Sequence, residues 1–416
     1  MEAVEKVEKV VGKEASLWRN KKFLFLWIAQ IFSGIGEQLH LLALPWIMYD
    51  LTRNSTMMGT LAAIEQIPIL LLGFLMGALI DNINKKLIMI TSLALSIITV
   101  ISLYSLVNVG YLVVPSLFIA GFVLAFASSL YSVTISSTIP LIIKKDRLVE
   151  ANSQISLGQN IIVLLGPSLA GILIATFGAQ NILWINSFSY FFLILAVLNL
   201  KINEDNTKKT TISVRGILKD ALEGIKYLWK NNTLRMISFL TLFINIGLGS
   251  TLAIFLFYTR ELGISSAQMG FIYSGGTIGA ISIALTVRIW SKKIGRGKGI
   301  LIGSITAGIG TILISVSDSL LPLILSYGLL LISVSFANIN IVTLIQEITP
   351  KDLLGRVNAG NRTISRIAVP FSMLSSGILV NYIKINHIFL ASGILIVAIA
   401  LITFRKEMTF KNIKTN

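Results

Sequence analysis

The chain has 416 residues, 54% hydrophobic and only 13% charged, with 35 Lys+Arg against 19 Asp+Glu and a formal net charge of +16. A soluble domain carries roughly 25% charged residues, so a chain at half that density finds most of its solvent in lipid, which excludes soluble enzymes and nucleic-acid binders. The absence of cysteine excludes disulfides, thiolate metal sites and a cysteine nucleophile.

In chain order, residues 1–22 alternate Glu, Val and Lys without an apolar core, so they are not a cleavable secretory signal. Val4, Val7 and Val11 share one helical face. Two readings stay open, an amphipathic helix on the inner membrane surface and a solvated helical tail. Apolar windows long enough to cross about 30 Å of hydrocarbon then recur twelve times, at 23–49, 57–80, 87–107, 111–140, 150–177, 181–200, 233–258, 268–290, 299–316, 320–346, 354–382 and 387–404. Their continuity excludes the period-two alternation of a membrane barrel. The expectation is an all-α polytopic membrane protein of twelve transmembrane helices. It divides into a cytoplasmic amphipathic N-terminus (1–22), a six-helix bundle (23–200), a cytoplasmic linker (201–232), a second six-helix bundle (233–404) and a cytoplasmic tail (405–416).

The first span carries Gln30, Ser33, Glu37 and His40 at steps of 3, 4 and 3, which at 100° per residue fall within an arc of about 80°. Such a face points to protein or to a water-filled cavity. Glu65 in the second span is the other membrane-embedded acid of this half, at a depth similar to that of Glu37. A charge at mid-helix costs about 2.5–3.5 kcal/mol, so Glu37 and Glu65, with His40 as a relay, are the proton-coupling candidates. A structural role, with each acid held by Gln30, Gln66 or a serine, is the open alternative. The fourth span adds Ser128, Ser129, Ser132 and Ser136, the seventh Ser238, Thr241 and Asn245, and the tenth Ser335, Asn338 and Asn340. Gln30, Ser33, Ser132, Asn245 and Asn338 are cavity candidates, with interhelical hydrogen bonding as the alternative. Arg362 and Arg366, four apart in the eleventh span, either snorkel, pair with Glu347 or Asp81, or meet an anionic substrate.

Between the spans, the segments expected inside hold thirty basic residues, whereas the outer loops hold only Arg53, Arg260 and Lys384. By the positive-inside rule both termini face the cytoplasm. The excess positive charge is therefore topology, not nucleic-acid binding. Two offsets reveal a duplication: Leu17-Trp18-Arg19-Asn20 recurs as Leu228-Trp229-Lys230-Asn231, 211 residues on, which brings Gly36 onto Gly247. Lys145-Asp146-x-Leu148-x-x-x-Asn152 recurs as Lys351-Asp352-x-Leu354-x-x-x-Asn358, 206 residues on. Repeats of this kind surround a central cavity in alternating-access transporters. No phosphate loop, H-E-x-x-H pair or G-x-S-x-G elbow occurs. An enzyme is not expected, nor a metal or cofactor, and an ion gradient is left as the energy source.

Gly77-Ala-Leu-Ile-Asp81-Asn-Ile-Asn-Lys85-Lys86 resembles the loop signature of the major facilitator superfamily, with Asn82 and Asn84 replacing its Arg and Gly. The resemblance implies that Gly77, Asp81, Lys85 and Lys86 form a conformational gate loop in which the Asp caps the inner end of the eleventh span. Gly158 with Gly166-Pro167-Ser168-Leu169-Ala170-Gly171 resembles the superfamily's exporter motif G-P-x-x-G-G, with Ala170 in place of a Gly. It implies efflux, close approach of the fifth span to the eighth, and a bend at Pro167. Leu17-Trp18-Arg19-Asn20 through Ala43-Leu44-Pro45, and Pro350-x-x-x-x-Gly355-Arg356-Val357, resemble the macrolide-efflux and enterobactin-exporter branch. One departure is the fourth span, where residues 111–140 lack the Arg usual in the superfamily's proton antiporters; coupling would then rest on Glu37, with Glu65 as alternative or partner. The expectation is a monomeric, proton-coupled exporter of a bulky apolar small molecule, such as a drug, macrolide-like antibiotic or siderophore, in the bacterial cytoplasmic membrane. Its partners are that substrate, protons and the lipid bilayer, with no nucleic acid. The alternatives are a proton-coupled importer of a small metabolite and a transport-inactive sensor or assembly protein.

Overall fold

The computed structural model describes residues 21–80, 84–143, 147–200, 202, 214–350 and 353–404. Asp81, the tail readings at 1–20 and 405–416, and linker residues 201 and 203–213 lie outside these residues. In chain order the helices are α1 (Lys21–Thr52), α2 (Ser55–Ile80), α3 (Lys85–Val109), α4 (Val114–Ile142), α5 (Leu148–Leu198), α6 (Val214–Lys230) and α7 (Asn232–Glu261). They continue as α8 (Ser266–Ile294), α9 (Arg296–Ser315), α10 (Leu320–Ile348), α11 (Leu354–Arg366), α12 (Val369–Leu379) and α13 (Ile385–Thr403), and no strand occurs among the described residues. By length and composition, eight of these helices can cross a membrane: α3, α4, α5, α7, α8, α9, α10 and α13. The polar residues Gln30, Glu37, Gln38 and His40 dilute the middle of α1, and Ser55–Leu71 of α2 counts as a shorter apolar helix. The single span expected at 354–382 is divided at Ile367–Ala368 into α11 and α12.

Helix ends follow from local chemistry. Asn84, which replaces the glycine of the loop signature, starts α3 by accepting a bond from Leu87 N at 2.9 Å. Asn231 does the same for α7 through Leu234 N at 3.1 Å. Ser265 and Gln268 form a capping box at the start of α8. Each cap satisfies backbone donors that no turn of helix can reach. The loop expected between the fifth and sixth spans shrinks to Gly178, whose φ of 80° needs a residue without Cβ. Here α5 breaks into two arms.

Helices α1–α5 pack as one group, with α1 lying along both arms of α5, and α7–α13 as a second, in which α9 is flanked by α10 and α13. Amphipathic α6 rests on α11 where Gly224 abuts the Arg356 backbone, and Arg356 pairs with Glu223 at 2.7 Å. Gly36 faces Ser189 and Asn186 on the second arm of α5, and its counterpart Gly247 faces Ile396 and Ser392 on α13. The repeat thus places its first helix against its last in both groups.

The groups meet at two crossings. A Cβ at Gly171 of α5 would come within 2.6 Å of Gly270 Cα on α8, and one at Gly59 of α2 within 2.9 Å of Gly377 Cα on α12. Bonds support both: Ser274 Oγ donates to Ser168 Oγ at 2.6 Å, Ser55 Oγ to the Gly377 carbonyl at 2.9 Å, and Asn381 Nδ2 to Thr56 Oγ1 at 2.7 Å. The two offsets relate the crossings, since Gly59 lies 211 residues before Gly270 and Gly171 lies 206 before Gly377. Both crossings lie toward the end where α1 and α7 finish, called here the Asp50 end. The other end, where Lys21, Lys86, Arg147, Lys230 and Arg296 sit, is the basic end.

Candidate functional site

A cavity of about 560 Å³ opens within the first group, walled by α1, α4 and α5 with a contribution from α3. That volume suits a drug-sized ligand. From α1 come Trp27, Gln30, Ser33 and Glu37, from α4 Ser128, Tyr131 and Ser132, and from α5 Asn152, Ile162 and Tyr190. Their spacing on α1 is the stripe expected from the sequence. Glycines set the wall's depth: Gly34 abuts Ile162, Gly158 lies against Trp27, and Gly166 lies against Gln38.

Among the described residues Glu37 is the sole acid of the lining, and no Lys, Arg or His lines the cavity beside it. Its carboxylate accepts a hydrogen bond from Ser128. Gln30 Nε2 donates to Tyr131 OH at 3.3 Å, and Trp27 Nε1 donates to the Gln154 carbonyl at 2.7 Å. The site therefore offers aromatic and aliphatic surface with one ionisable group about 24 Å along α1 from Lys21 at 1.5 Å per residue. Such a group can hold a proton or a positive charge.

The other candidates are placed as follows. His40 does not line the cavity: it is buried against the second arm of α5, with Nδ1 3.1 Å from Asn186 Nδ2 and 3.5 Å from Tyr190 OH. Although it shares the polar arc of α1, the arc spans two neighbours, and His40 sits on the edge turned toward α5. Glu65 also lies outside the lining; it packs against Gly121 of α4, and its Oε1 is buried without a hydrogen-bond partner. Gly121 and Ser128 are two turns apart on one stripe of α4, so Glu65 sits about 10 Å nearer the Asp50 end than Glu37. The similar depth expected for the two acids is thereby corrected.

Asn245 donates to the Ser365 carbonyl at 2.8 Å and ties α7 to α11, while Asn338 is exposed on α10. Asn340, its neighbour, holds Ser291 of α8 at 2.7 Å. Arg362 and Arg366 are exposed, and Glu347, one expected partner, pairs with Arg296 instead at 3.3 Å. In the loop signature, Gly77 falls in the last turn of α2, and Lys86 Nζ donates to the carbonyls of Leu198 at 2.6 Å and Leu200 at 3.0 Å, fastening α3 to the end of α5. Lys85 opens α3. Of the exporter motif, Gly171 meets α8, whereas Gly158 and Gly166 face α1, and Pro167 lies between the two contacts. The aromatic wall of Trp27, Tyr131 and Tyr190 was missed because an aromatic in an apolar span breaks no pattern.

A family model described as transmembrane secretion effector matches residues 14–414. The chain belongs to this family of major facilitator transporters. Two relatives carry efflux names. The multidrug efflux pump Tap of Mycolicibacterium fortuitum is 24% identical over 88% of this chain and 91% of its own length. Macrolide efflux protein A of Streptococcus pyogenes is 24% identical over 92% and 95%. Among solved structures, the nucleoside transporter NupG superposes with a TM-score of 0.70 at 16% identity, covering 92% of this chain and 98% of that one. A bacterial homologue of the iron transporter ferroportin gives 0.71 at 14%, covering 92% and 99%. These likenesses extend the major facilitator fold over almost the whole chain. The protein is a multi-pass membrane transporter, as the loop signature and exporter motif implied.

Proposed function

We propose that this family member is a proton-coupled exporter of a bulky, largely apolar small molecule, with the α1–α4–α5 cavity as its binding site. The observation that carries the reading is Glu37, the single acid among the described residues of a drug-sized, aromatic-walled cavity. The efflux names of the relatives support the direction of transport. Substrate and proton compete for one carboxylate, so binding of either disfavours the other, and linkage turns that competition into antiport. Ser128 holds the carboxylate toward the cavity between cycles. Glu65, whose Oε1 is buried without a hydrogen-bond partner at the α2–α4 contact, is the second proton-coupling candidate.

The surrounding architecture is read as twelve spans in two six-helix bundles, 23–200 and 233–404, joined by the 201–232 linker. The bundles rock against each other beside the cavity of the first bundle, with the Gly77–Lys86 segment as the gate loop at the basic end. The basic end is cytoplasmic by the positive-inside rule, both termini lie there, and the protein works as a monomer in the bacterial cytoplasmic membrane.

The test is efflux of a labelled panel of drugs, macrolides included, from cells producing the native protein or Glu37→Gln, with and without a protonophore. Export lost on both treatments supports the reading. Export intact in Glu37→Gln while still protonophore-sensitive moves coupling to Glu65, and uptake in place of efflux refutes the exporter.

A further inference from the structure

The residues of α11 divide between its packing partners and one open side. Asn361 Oδ1 accepts from Ser238 Oγ of α7 at 2.7 Å, and the Ser365 carbonyl accepts from Asn245 of the same helix. Arg356 and Gly360 lie against Gly224 and Ile225 of α6. Val357 and Ile364 turn into the core of the second group. Opposite that core runs an exposed stripe, Gly355, Ala359, Arg362 and Arg366, at steps of 4, 3 and 4, which at 100° per residue spans about 60°. No large apolar side chain of α11 is exposed, so the stripe does not face hydrocarbon.

The hydrogen bonds and ion pairs that join the two groups lie toward the Asp50 end. They sit at the glycine crossings and where Arg260 pairs with Asp50 at 2.5 Å and Tyr49 OH donates to Glu261 Oε1 at 2.6 Å. Beyond the break, α12 packs on α2 of the first group, whereas α11 keeps to α6, α7 and the edge of α10. The stripe therefore opens into the cleft between the groups. Its depth follows from α6, an amphipathic helix whose contact with Arg356 marks the inner membrane surface. Arg366 comes ten residues later, about 15 Å deeper, or half of a hydrocarbon core of roughly 30 Å. Snorkelling needs a stem laid along a lipid-facing surface, and this stripe offers none.

The offset of 206 that carries Gly171 onto Gly377 also carries Ser156 onto Arg362 and Asn160 onto Arg366. Ser156 and Asn160 are exposed on α5 as the arginines are on α11. The face is thus polar in both halves, and only the second half has charged it. Contact with water accounts for a serine and an asparagine, but not for two cations four residues apart, which repel each other. Among the described residues neither guanidinium has a hydrogen bond or ion pair. Glu347 and Glu223 are held by Arg296 and Arg356, and Glu65 lies against α4. A carboxylate or phosphate between two guanidinium forks gains charge-assisted hydrogen bonds and removes the repulsion.

We infer that Arg362 and Arg366 are an anion-binding pair that takes the carboxylate or phosphate of an amphiphilic cargo, whose apolar body enters the α1–α4–α5 cavity. The inference rests on the transport reading above, to which it adds the charge of the cargo. Parallel repeats related by an axis along the membrane normal keep equivalent residues at equal depth. Arg366 therefore lies level with Asn160, whose neighbour Gln159 lines the cavity, so head and body meet their sites at one level of the membrane. Glu37 keeps its role for the proton.

The test is binding of radiolabelled naphthylacetate and of its neutral amide, naphthylacetamide, to purified protein in a non-ionic detergent. The native protein should prefer the carboxylate by about tenfold, the scale of one hydrogen bond to a charged group. Arg362→Gln and Arg366→Gln should each reduce that preference, and the two together should abolish it while amide binding and melting temperature stay as in the native protein. Arg362→Lys with Arg366→Lys should keep part of it, since charge remains and the forks are lost. Lys384→Gln, a cation removed from the other end, should leave it unchanged. Equal affinities for acid and amide in the native protein overturn the inference, as does a preference undiminished in the double glutamine variant. Competition separates the sources of the anion. Stronger displacement of the label by inorganic phosphate, or by dispersed phosphatidylglycerol, than by unlabelled naphthylacetate overturns the assignment to cargo in favour of a free anion or a lipid headgroup. Binding needs no gradient, so failure of the export reading shows separately, as absent efflux beside an intact anion preference.

Discussion

A carboxylate inside a membrane span persists where something offsets a transfer cost of about 2.5–3.5 kcal/mol. Glu37 has two such compensations, the Ser128 hydroxyl and a polar opening onto the cavity. Ser128→Ala removes one bond to a carboxylate, a loss of about 1.5–3 kcal/mol, and should change the half-saturating substrate concentration about tenfold or more while export continues. Loss of export as complete as in Glu37→Gln would show that Ser128 does more than hold the acid. His40 belongs to a different environment. Bonded to Asn186 and seated behind Tyr190 rather than in the lining, it should tolerate His40→Asn with protonophore-sensitive efflux retained and thermal stability in detergent lowered. Abolished coupling with an intact fold would return His40 to the proton path. The stripe of Gln30, Ser33 and Glu37 was legible in the sequence because 100° per residue places those side chains on one face. Periodicity gives a face but not its neighbour, which is why His40 was grouped with a cavity it does not line.

At the scale of helices, close approach depends on a few glycines. At 100° per residue, Gly158 and Gly166 fall within about 80° of each other, but Gly171 lies about 140° from Gly166. One motif therefore serves two partners, α1 and α8. The sequence showed the small residues; only packing shows that the motif divides. Gly171→Val places atoms where Gly270 already stands, and overpacking of this kind costs about 1–3 kcal/mol. The expected result is a lower melting temperature in detergent and reduced transport. Gly355→Ala is the matched control, since no atom lies within 4 Å of the added carbon; it should be neutral or stabilise by about 0.5–1 kcal/mol. Equal losses in the two variants would contradict the crossing as the site of close packing. Other element-level features were less legible. Ile367–Ala368 divides the span expected at 354–382, polar in α11 and apolar in α12, without a proline at the break itself, and Gly178 does the work of a loop in one residue.

For the whole molecule, composition and duplication carried the reading furthest. Low charge density gave the membrane, basic asymmetry an orientation, and the 211 and 206 offsets a two-fold plan that the glycine crossings follow. The contacts across the groups were not legible, because Asp50, Arg53, Arg260 and Glu261 look like ordinary loop charges until the ends of α1 and α7 are seen together. Orientation is open to a direct check in the cysteine-free chain. Lys384→Cys should react with a membrane-impermeant maleimide added to intact cells, whereas Lys298→Cys should react only after permeabilisation. The reverse pattern would place the basic end outside and make the direction of transport the opposite of that proposed.

Exchange of substrate for a proton at Glu37 is the central claim, and everted membrane vesicles test it most directly. Respiration acidifies the vesicle interior, and an acridine dye reports the gradient. Addition of a transported macrolide or organic cation should dissipate the gradient in vesicles carrying the native protein, by drawing protons out as substrate enters. Vesicles carrying Glu37→Gln, matched for protein level, should hold the gradient unchanged. Equal dissipation in both preparations would contradict proton exchange at this carboxylate.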